Sequence, residues 1–132
     1  MNRSFSNFEN ALSRLEEALL LPNNDRIVID GTIQRFEFTF ETAWKAARNL
    51  LFAQAGIEAN TPRDVLQKAY IAAWFDDEKI WLAMMKHRNE TSHIYNEAKA
   101  NEIYEMLPTY AKNLRNLCEM LKEKYPEATK LK

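Results

Sequence analysis

The fold is decided by the stretch from residue 32 to residue 55, which reads TIQRFEFTFETAWKAARNLLFAQA. Its apolar residues recur at alternating spacings of three and four, which is the pattern of one face of a helix. The members of this seam are Ile33, Phe36, Phe40, Ala43, Ala47 and Leu50, with Trp44 and Leu51 widening it. A seam this long and this aromatic predicts a helix that packs against more than one neighbour.

Four other segments carry the same helical spacing, so the sequence predicts five helices. They are expected to run from residue 4 or 6 to 21, from 30 or 32 to 55, from 62 to about 74, from about 78 to 88, and from 96 or 97 to about 125. Capping chemistry supports these ends, with Thr61 before Pro62 at a start and Gly56 at a stop. The apolar run at residues 27–29 finds no partner strand and is interpreted as a loop that covers the bundle end.

These patterns predict an all-α protein, a four- to five-helix up-and-down bundle with a kinked last helix. Glycine and proline number only two and four in 132 residues, too few for the turns of a many-stranded sheet. Pro108 lies inside the last helix and should kink or split it, because proline lacks a backbone donor. We expect one bundle domain over residues 1–125 and a frayed C-terminal tail over residues 126–132.

Composition narrows the classes of function. The formal net charge is −1, which argues against non-specific binding of duplex DNA but leaves room for a single RNA strand. The lone Cys118 cannot form an intramolecular disulfide and is expected to be a buried, inert thiol. No stretch has membrane-spanning length, no Cys/His cluster has metal-ligand spacing, and no cofactor is predicted. A cytoplasmic location is therefore the expectation.

One segment concentrates the functional groups, residues 88–96, which read RNETSHIYN. On a continuous helix Arg88 and His93 would point about 140° apart, so they can act together only if the helix breaks near Ser92 or two subunits meet. An arginine can clamp a phosphate, and a histidine can transfer a proton near neutral pH. The alternative is that both side chains only satisfy a helix end.

The spacing Arg-x4-His-x-Tyr, formed by Arg88, His93 and Tyr95, resembles the signature of the HEPN superfamily. Two further stretches match in order, QRFEFTFETAWK at residues 34–45 and NTPR at residues 60–63. Together they are similar to the nucleotidyltransferase substrate-binding branch of that superfamily. The similarity covers nearly the whole chain, from about Phe5 to Tyr125.

This resemblance implies a helical subunit that forms a homodimer or higher homo-oligomer and pairs with a separately encoded minimal nucleotidyltransferase. In such toxin–antitoxin pairs the helical half is often a metal-independent ribonuclease acting on RNA. By the resemblance, Arg88 would hold the scissile phosphate, His93 would be general acid or base, and Asn89 would assist. Tyr95 would accept adenylate from the partner. An older view of this branch makes it a substrate-binding subunit.

Two alternatives stay open beside this interpretation, namely a ribonuclease toxin that acts on its own through Arg88 and His93, and a non-catalytic helical scaffold. The chain is not expected to be a nucleotidyltransferase, since no Gly-Ser step is followed by paired aspartates on a strand. His87, next to the motif, is expected to have a surface role. Glu41 and Arg48 could form a polar stripe facing the motif or a solvated helix face.

Overall fold

The computed structural model describes residues 3–22, 25–91 and 96–130, which form helices and no strand. The helices are α1 (Arg3–Ala18), α2 (Arg26–Ala55), α3 (Pro62–Ile71), α4 (Glu78–Glu90), α5 (Glu97–Lys124) and α6 (Pro126–Thr129). The predicted all-α bundle is confirmed. None of the helices in these ranges is long and apolar enough to cross a membrane.

Helix α2 lies at the centre of the bundle and contacts α1, α3, α4 and α5. The apolar seam predicted for α2 is buried. Contact with four helices explains why the apolar stripe is wider than packing against one helix requires. The fully buried Thr39 donates its hydroxyl to the carbonyl oxygens of Arg35 and Ala11. The bond to Ala11 joins α2 to α1, and together the two bonds satisfy a hydroxyl whose burial without a partner would be costly.

Most predicted helix ends are confirmed because they depend on local capping. Thr61 accepts from the backbone N–H of Asp64 with Pro62 at the first position, and Asn96 caps α5. Gly56 ends α2 in the left-handed conformation, with φ of 68°. Asp77 caps α4 by accepting from the N–H of Ile80.

The predicted start of α2 and the predicted loop at residues 27–29 are wrong. Asp25 accepts a hydrogen bond from the N–H of Ile27 and starts the helix, so the apolar run forms its first turn. Helix α3 ends at Ile71, before the expected Trp74, because Ala73 takes a positive φ of 64°. This reversal turns Trp74 back into the core.

Helix α5 runs through Pro108 without splitting, and Pro108 is exposed. The kink expected there stays a prediction. The C-terminal half of α5 is joined to α1 by ion pairs: Arg115 grips both carboxylate oxygens of Glu16 at 2.7 and 3.0 Å, and Lys122 lies 2.7 Å from Glu9. Beyond α5, residues 126–129 form the short α6, while the fraying expected over residues 126–132 stays a prediction.

Candidate functional site

The candidate site lies where α4 gives way to α5. Helix α4 ends at Glu90 with Thr91 as its cap, and α5 begins at Glu97 after its cap Asn96, so the two are separate helices, as the sequence predicts. Arg88 and Asn89 lie in the last turn of α4. The other two predicted residues, His93 and Tyr95, lie outside the residues that the structure describes.

Short polar side chains fix both borders of this connection. Thr91 donates its hydroxyl to the carbonyl of Arg88 at 2.7 Å and also bonds that carbonyl through its N–H. Asn96 accepts from the N–H of Lys99 at 2.7 Å and starts α5. Such residues compete with helical bonding by offering side-chain partners to the backbone, which explains why the helix ends here.

Arg88 is anchored to α2 by Glu41. Its Nη2 lies 2.6 Å from Glu41 Oε1, and the two side chains are about one-third exposed. The Nε of Arg88 is buried and has no hydrogen-bond partner among the described residues. One guanidinium offers five donors in a plane, so the pair positions the arginine while leaving donors for an anion.

Glu41 is held in its charged form at this position. Burial opposes ionisation, but the hydrogen bond from Lys45 and the charge of Arg88 outweigh it and lower the pKa of Glu41 below its usual value. The sequence left open whether Glu41 faces the motif or solvent. Glu41 faces the motif, because it contacts Arg88. Arg48 does not face it, since its guanidinium lies over Trp44 at 5.3 Å and bonds to Asn49.

Two clefts of opposite charge flank the connection between α4 and α5. The basic cleft, about 670 Å³, is bordered by three cationic side chains and one carboxylate: Arg63, Lys86, Lys99 and Glu90. The acidic cleft, about 580 Å³, is bordered by three carboxylates and one cation: Asp30, Glu37, Glu97 and Arg26. Asn96 borders both clefts. Thr91 borders the acidic cleft, and the exposed Asn89 borders the basic cleft.

The surface role expected for His87 is wrong, because its side chain is only 12% exposed. Its Nδ1 lies 2.6 Å from the hydroxyl of Tyr110 and its Nε2 lies 3.1 Å from Glu102, both on α5. Burial raises the pKa of Tyr110 to about 12, so the hydroxyl stays protonated. The neutral tautomer that satisfies both contacts carries its proton on Nε2. His87 thus fixes α4 to α5 next to Arg88.

The hydrogen bond between His87 and Tyr110 could not be predicted from the sequence. Tyr110 is 23 residues away, and its spacing indicates only a core residue of the last helix. Ligand atoms of His87, Glu90 and Glu102 lie within 4.8 Å of one another and could hold a metal ion. The Lys99 ammonium, however, lies 3.4 Å from both carboxylates. A metal ion bound here would have to displace it.

Comparison with known proteins gives the family. The model of the family described as nucleotidyltransferase substrate binding protein like matches residues 3–123. A protein of Haemophilus influenzae, named as a probable ribonuclease HepT, is 31% identical over 101 residues, which cover 74% of this chain and 69% of the relative.

Two solved structures share the fold. A crystal structure of a Thermus thermophilus protein is 34% identical with a TM-score of 0.83, covering 87% of this chain and 98% of that one. The structure of a Haemophilus influenzae protein is 26% identical with a TM-score of 0.75, and the match covers 89% of this chain and 98% of that one. That structure is reported to reveal the fold of a substrate binding domain of a nucleotidyltransferase. With its helix order, its break after Arg88 and a family match over nearly its whole length, this chain belongs to the nucleotidyltransferase substrate binding protein-like family, which supports the HEPN relationship.

Proposed function

We propose that this protein is the HEPN-type subunit of a toxin–antitoxin pair, which binds a separately encoded minimal nucleotidyltransferase and accepts adenylate on Tyr95. The observation that carries the proposal is the anchored Arg88 at a helix break, in a chain of the substrate-binding family. Residues 92–95, which include His93 and Tyr95, directly follow this anchor.

The modification would form a bond between the Tyr95 phenol oxygen and the α-phosphorus of ATP, with pyrophosphate as the leaving group. The partner would supply the nucleotidyl-transfer site. Negative charge placed beside Arg88 would compete with RNA for the same guanidinium, which is a physical reason for the modification to silence the subunit.

A second candidate function, ribonuclease activity of this chain itself, is favoured by the relative named as a probable ribonuclease. In that reaction the ribose 2′-hydroxyl attacks the adjacent phosphorus and the 5′-oxygen leaves. His93 would move a proton, Arg88 would stabilise the charge on the phosphoryl oxygens, and Asn89 would assist. No metal ion takes part in this chemistry.

A second copy of the chain would complete the site in this proposal. Phe38 and Phe52 on α2 are 61% and 65% exposed, and their separation of fourteen residues returns them to nearly the same helix face. Phe38 precedes Glu41 by three residues, so this exposed aromatic side chain adjoins the Arg88 anchor. These features support a homodimer that includes α2.

The test is the intact mass of the protein after co-expression with the nucleotidyltransferase encoded beside it. We expect a gain of one or more adenylates that disappears in Tyr95→Phe and persists in Tyr104→Phe, a matched tyrosine on α5. Native mass spectrometry of the same sample should show a dimer. No gain in mass would refute Tyr95 as acceptor, and a pull-down of the two proteins would then separate a binding subunit from a scaffold.

The ribonuclease candidate has its own measurement, cleavage of single-stranded RNA by the unmodified protein without added metal. We expect Arg88→Ala and His93→Ala to abolish cleavage while the circular dichroism spectrum stays helical. Cleavage that survives both substitutions would rule out the assigned site.

A further inference from the structure

The two clefts beside the connection between α4 and α5 differ in the ligand charge that they favour. The acidic cleft would repel a polyanion, since Glu37 and Asp30 line it and Arg26, the one cation among its described lining residues, is already paired with Glu97 at 2.6 Å. The basic cleft carries the opposite balance. An anionic chain that reaches the candidate site is therefore directed to the side of α3 and α4.

Two of the three cations that line the basic cleft are available for a ligand. Arg63 and Lys86 are exposed, and neither forms an ion pair within the described part of the chain. They come from different helices, α3 and α4, so they line opposite parts of one concave surface. Lys99 is shared between Glu90 and Glu102, and its hydrogen bond to Glu102 raises its pKa, which keeps this cation charged.

The other lining residues indicate which part of a nucleic acid would fit. The amides of Asn89 and Asn96 can bond to phosphate or ribose oxygens, and the floor is formed by the aliphatic and thioether side chains of Leu82, Ala83 and Met85. Cations and amides of this kind suit the sugar–phosphate backbone of a nucleic acid.

We propose that the basic cleft binds the backbone of a single RNA strand, through phosphates next to the one held at Arg88. This inference rests on the proposed function, because it treats the segment after Arg88 as the place where RNA is cut. Asn89 lines the cleft and lies with Arg88 in the last turn of α4. Its cations contribute affinity through contacts with phosphates.

The experiment measures binding of the unmodified protein to a fluorescein-labelled 2′-O-methyl oligouridylate, which lacks the hydroxyl needed for cleavage. Fluorescence anisotropy is recorded over a series of salt concentrations. We expect the double variant Arg63→Gln/Lys86→Gln to bind more weakly and to lower the slope of log affinity against log salt by about 1.4, because each lost phosphate contact on a single strand removes about 0.7.

The matched control is Arg14→Gln/Lys112→Gln, which removes one exposed arginine and one exposed lysine that do not line the basic cleft. Its slope should equal that of the unchanged protein. Equal slopes for the cleft variant and the unchanged protein would overturn the cleft proposal and leave the proposed function standing. No RNA binding by the unchanged protein would overturn the cleft proposal and the ribonuclease candidate, but not the adenylation test.

An acidic surface of the partner protein is the competing occupant of this cleft. If the partner occupied the cleft, the cleft variant would bind oligouridylate with an unchanged slope of log affinity against log salt but would no longer co-purify with the nucleotidyltransferase. That result would overturn the RNA proposal. Because both substituted side chains are exposed, we expect the variant to keep its fold, and thermal unfolding measured by circular dichroism checks this.

Discussion

At the scale of single residues, the central feature is that Arg88 is held by an acid on another helix. Glu41 lies 47 positions earlier in the chain, yet the two groups meet at 2.6 Å in a half-buried position. An arginine fixed in this way loses less conformational freedom when it binds a phosphate than a free one would. Glu41 is thus a positioning residue in the proposed mechanism.

This pairing predicts an energetic coupling between Glu41→Gln and Arg88→Ala in a double-mutant cycle. We expect about 1 kcal/mol, since the pair is partly exposed and partly screened by solvent. Urea unfolding of the four proteins measures it. The matched cycle of Glu41→Gln with Arg115→Ala should give no coupling, because Arg115 pairs with Glu16 and Glu119. Additive effects in the first cycle would contradict the pairing.

The same pair should make stability depend on pH in a defined direction. The pKa of Glu41 is lower in the folded protein than its ordinary value of 4.5, so the folded state binds protons less readily there. The stabilisation is present in full above about pH 4.5 and is lost as the pH falls through the lower, folded pKa. The stability difference between the unchanged protein and Glu41→Gln should therefore shrink only in acid.

At the scale of helices, local chemistry explains what the sequence could predict. The ends at Gly56, Thr61, Asp77 and Asn96 were predictable because each cap needs only its immediate neighbours. The start of α2 was not, because the β-branched residues 27–29 resemble a non-helical run. Their helical state depends on Asp25 and on the continuation of α2 against the core.

The residues that complete the candidate site were harder to predict for a related reason. The spacing of Arg88, Asn89, His93 and Tyr95 is visible in the chain, whereas the contact of His87 with Tyr110 joins two helices. Periodicity identifies Tyr110 as a core residue but cannot identify the group that bonds to its hydroxyl. Tertiary hydrogen bonds of this kind carry no local signature.

The two glycines at the ends of α2 predict opposite effects of alanine. Gly31 lies in the first turns of α2, and a Cβ built there meets nothing within 4 Å. Gly31→Ala should raise the free energy of unfolding by about 0.5–1 kcal/mol, because it lowers the entropy of the unfolded chain. Gly56 has φ of 68°, so Gly56→Ala should lower it by about 1 kcal/mol. Urea unfolding of both variants measures the two signs.

If Gly31→Ala destabilised the protein, this would contradict a helical backbone at Gly31, and the start of α2 expected at residue 30 or 32 would regain support. The Gly56 variant serves as the control of opposite sign within the same helix.

At the scale of the whole molecule, the first and last long helices close the bundle. Arg115 and Lys122 on α5 pair with Glu16 and Glu9 on α1, and Cys118 is fully buried beside them. Burial raises the pKa of the Cys118 thiol to about 12. The expectation of a buried thiol is confirmed, and its high pKa makes it inert while the bundle is closed, because the thiolate is the reactive form.

Cys118 therefore offers a probe of how the bundle opens. At pH 8 we expect a thiol reagent to label the folded protein slowly and the unfolded chain rapidly. Arg115→Ala should accelerate labelling about fivefold, which corresponds to a loss of about 1 kcal/mol in the stability of the closed form. Arg14→Ala, on the exposed surface of α1, should leave the rate unchanged. Rapid labelling of the unchanged protein would contradict the burial of Cys118.

The ion pairs between α1 and α5 join residues that are far apart in the chain. During synthesis α1 leaves the ribosome well before the residues that pair with Glu16 and Glu9, which lie 99 and 113 positions later. Tyr110, which holds His87 beside Arg88, belongs to the same late segment. A nascent chain thus contains Arg88 well before α5 is present to position α4, and under the proposed function a fragment that ends ahead of Tyr110 would lack a working site.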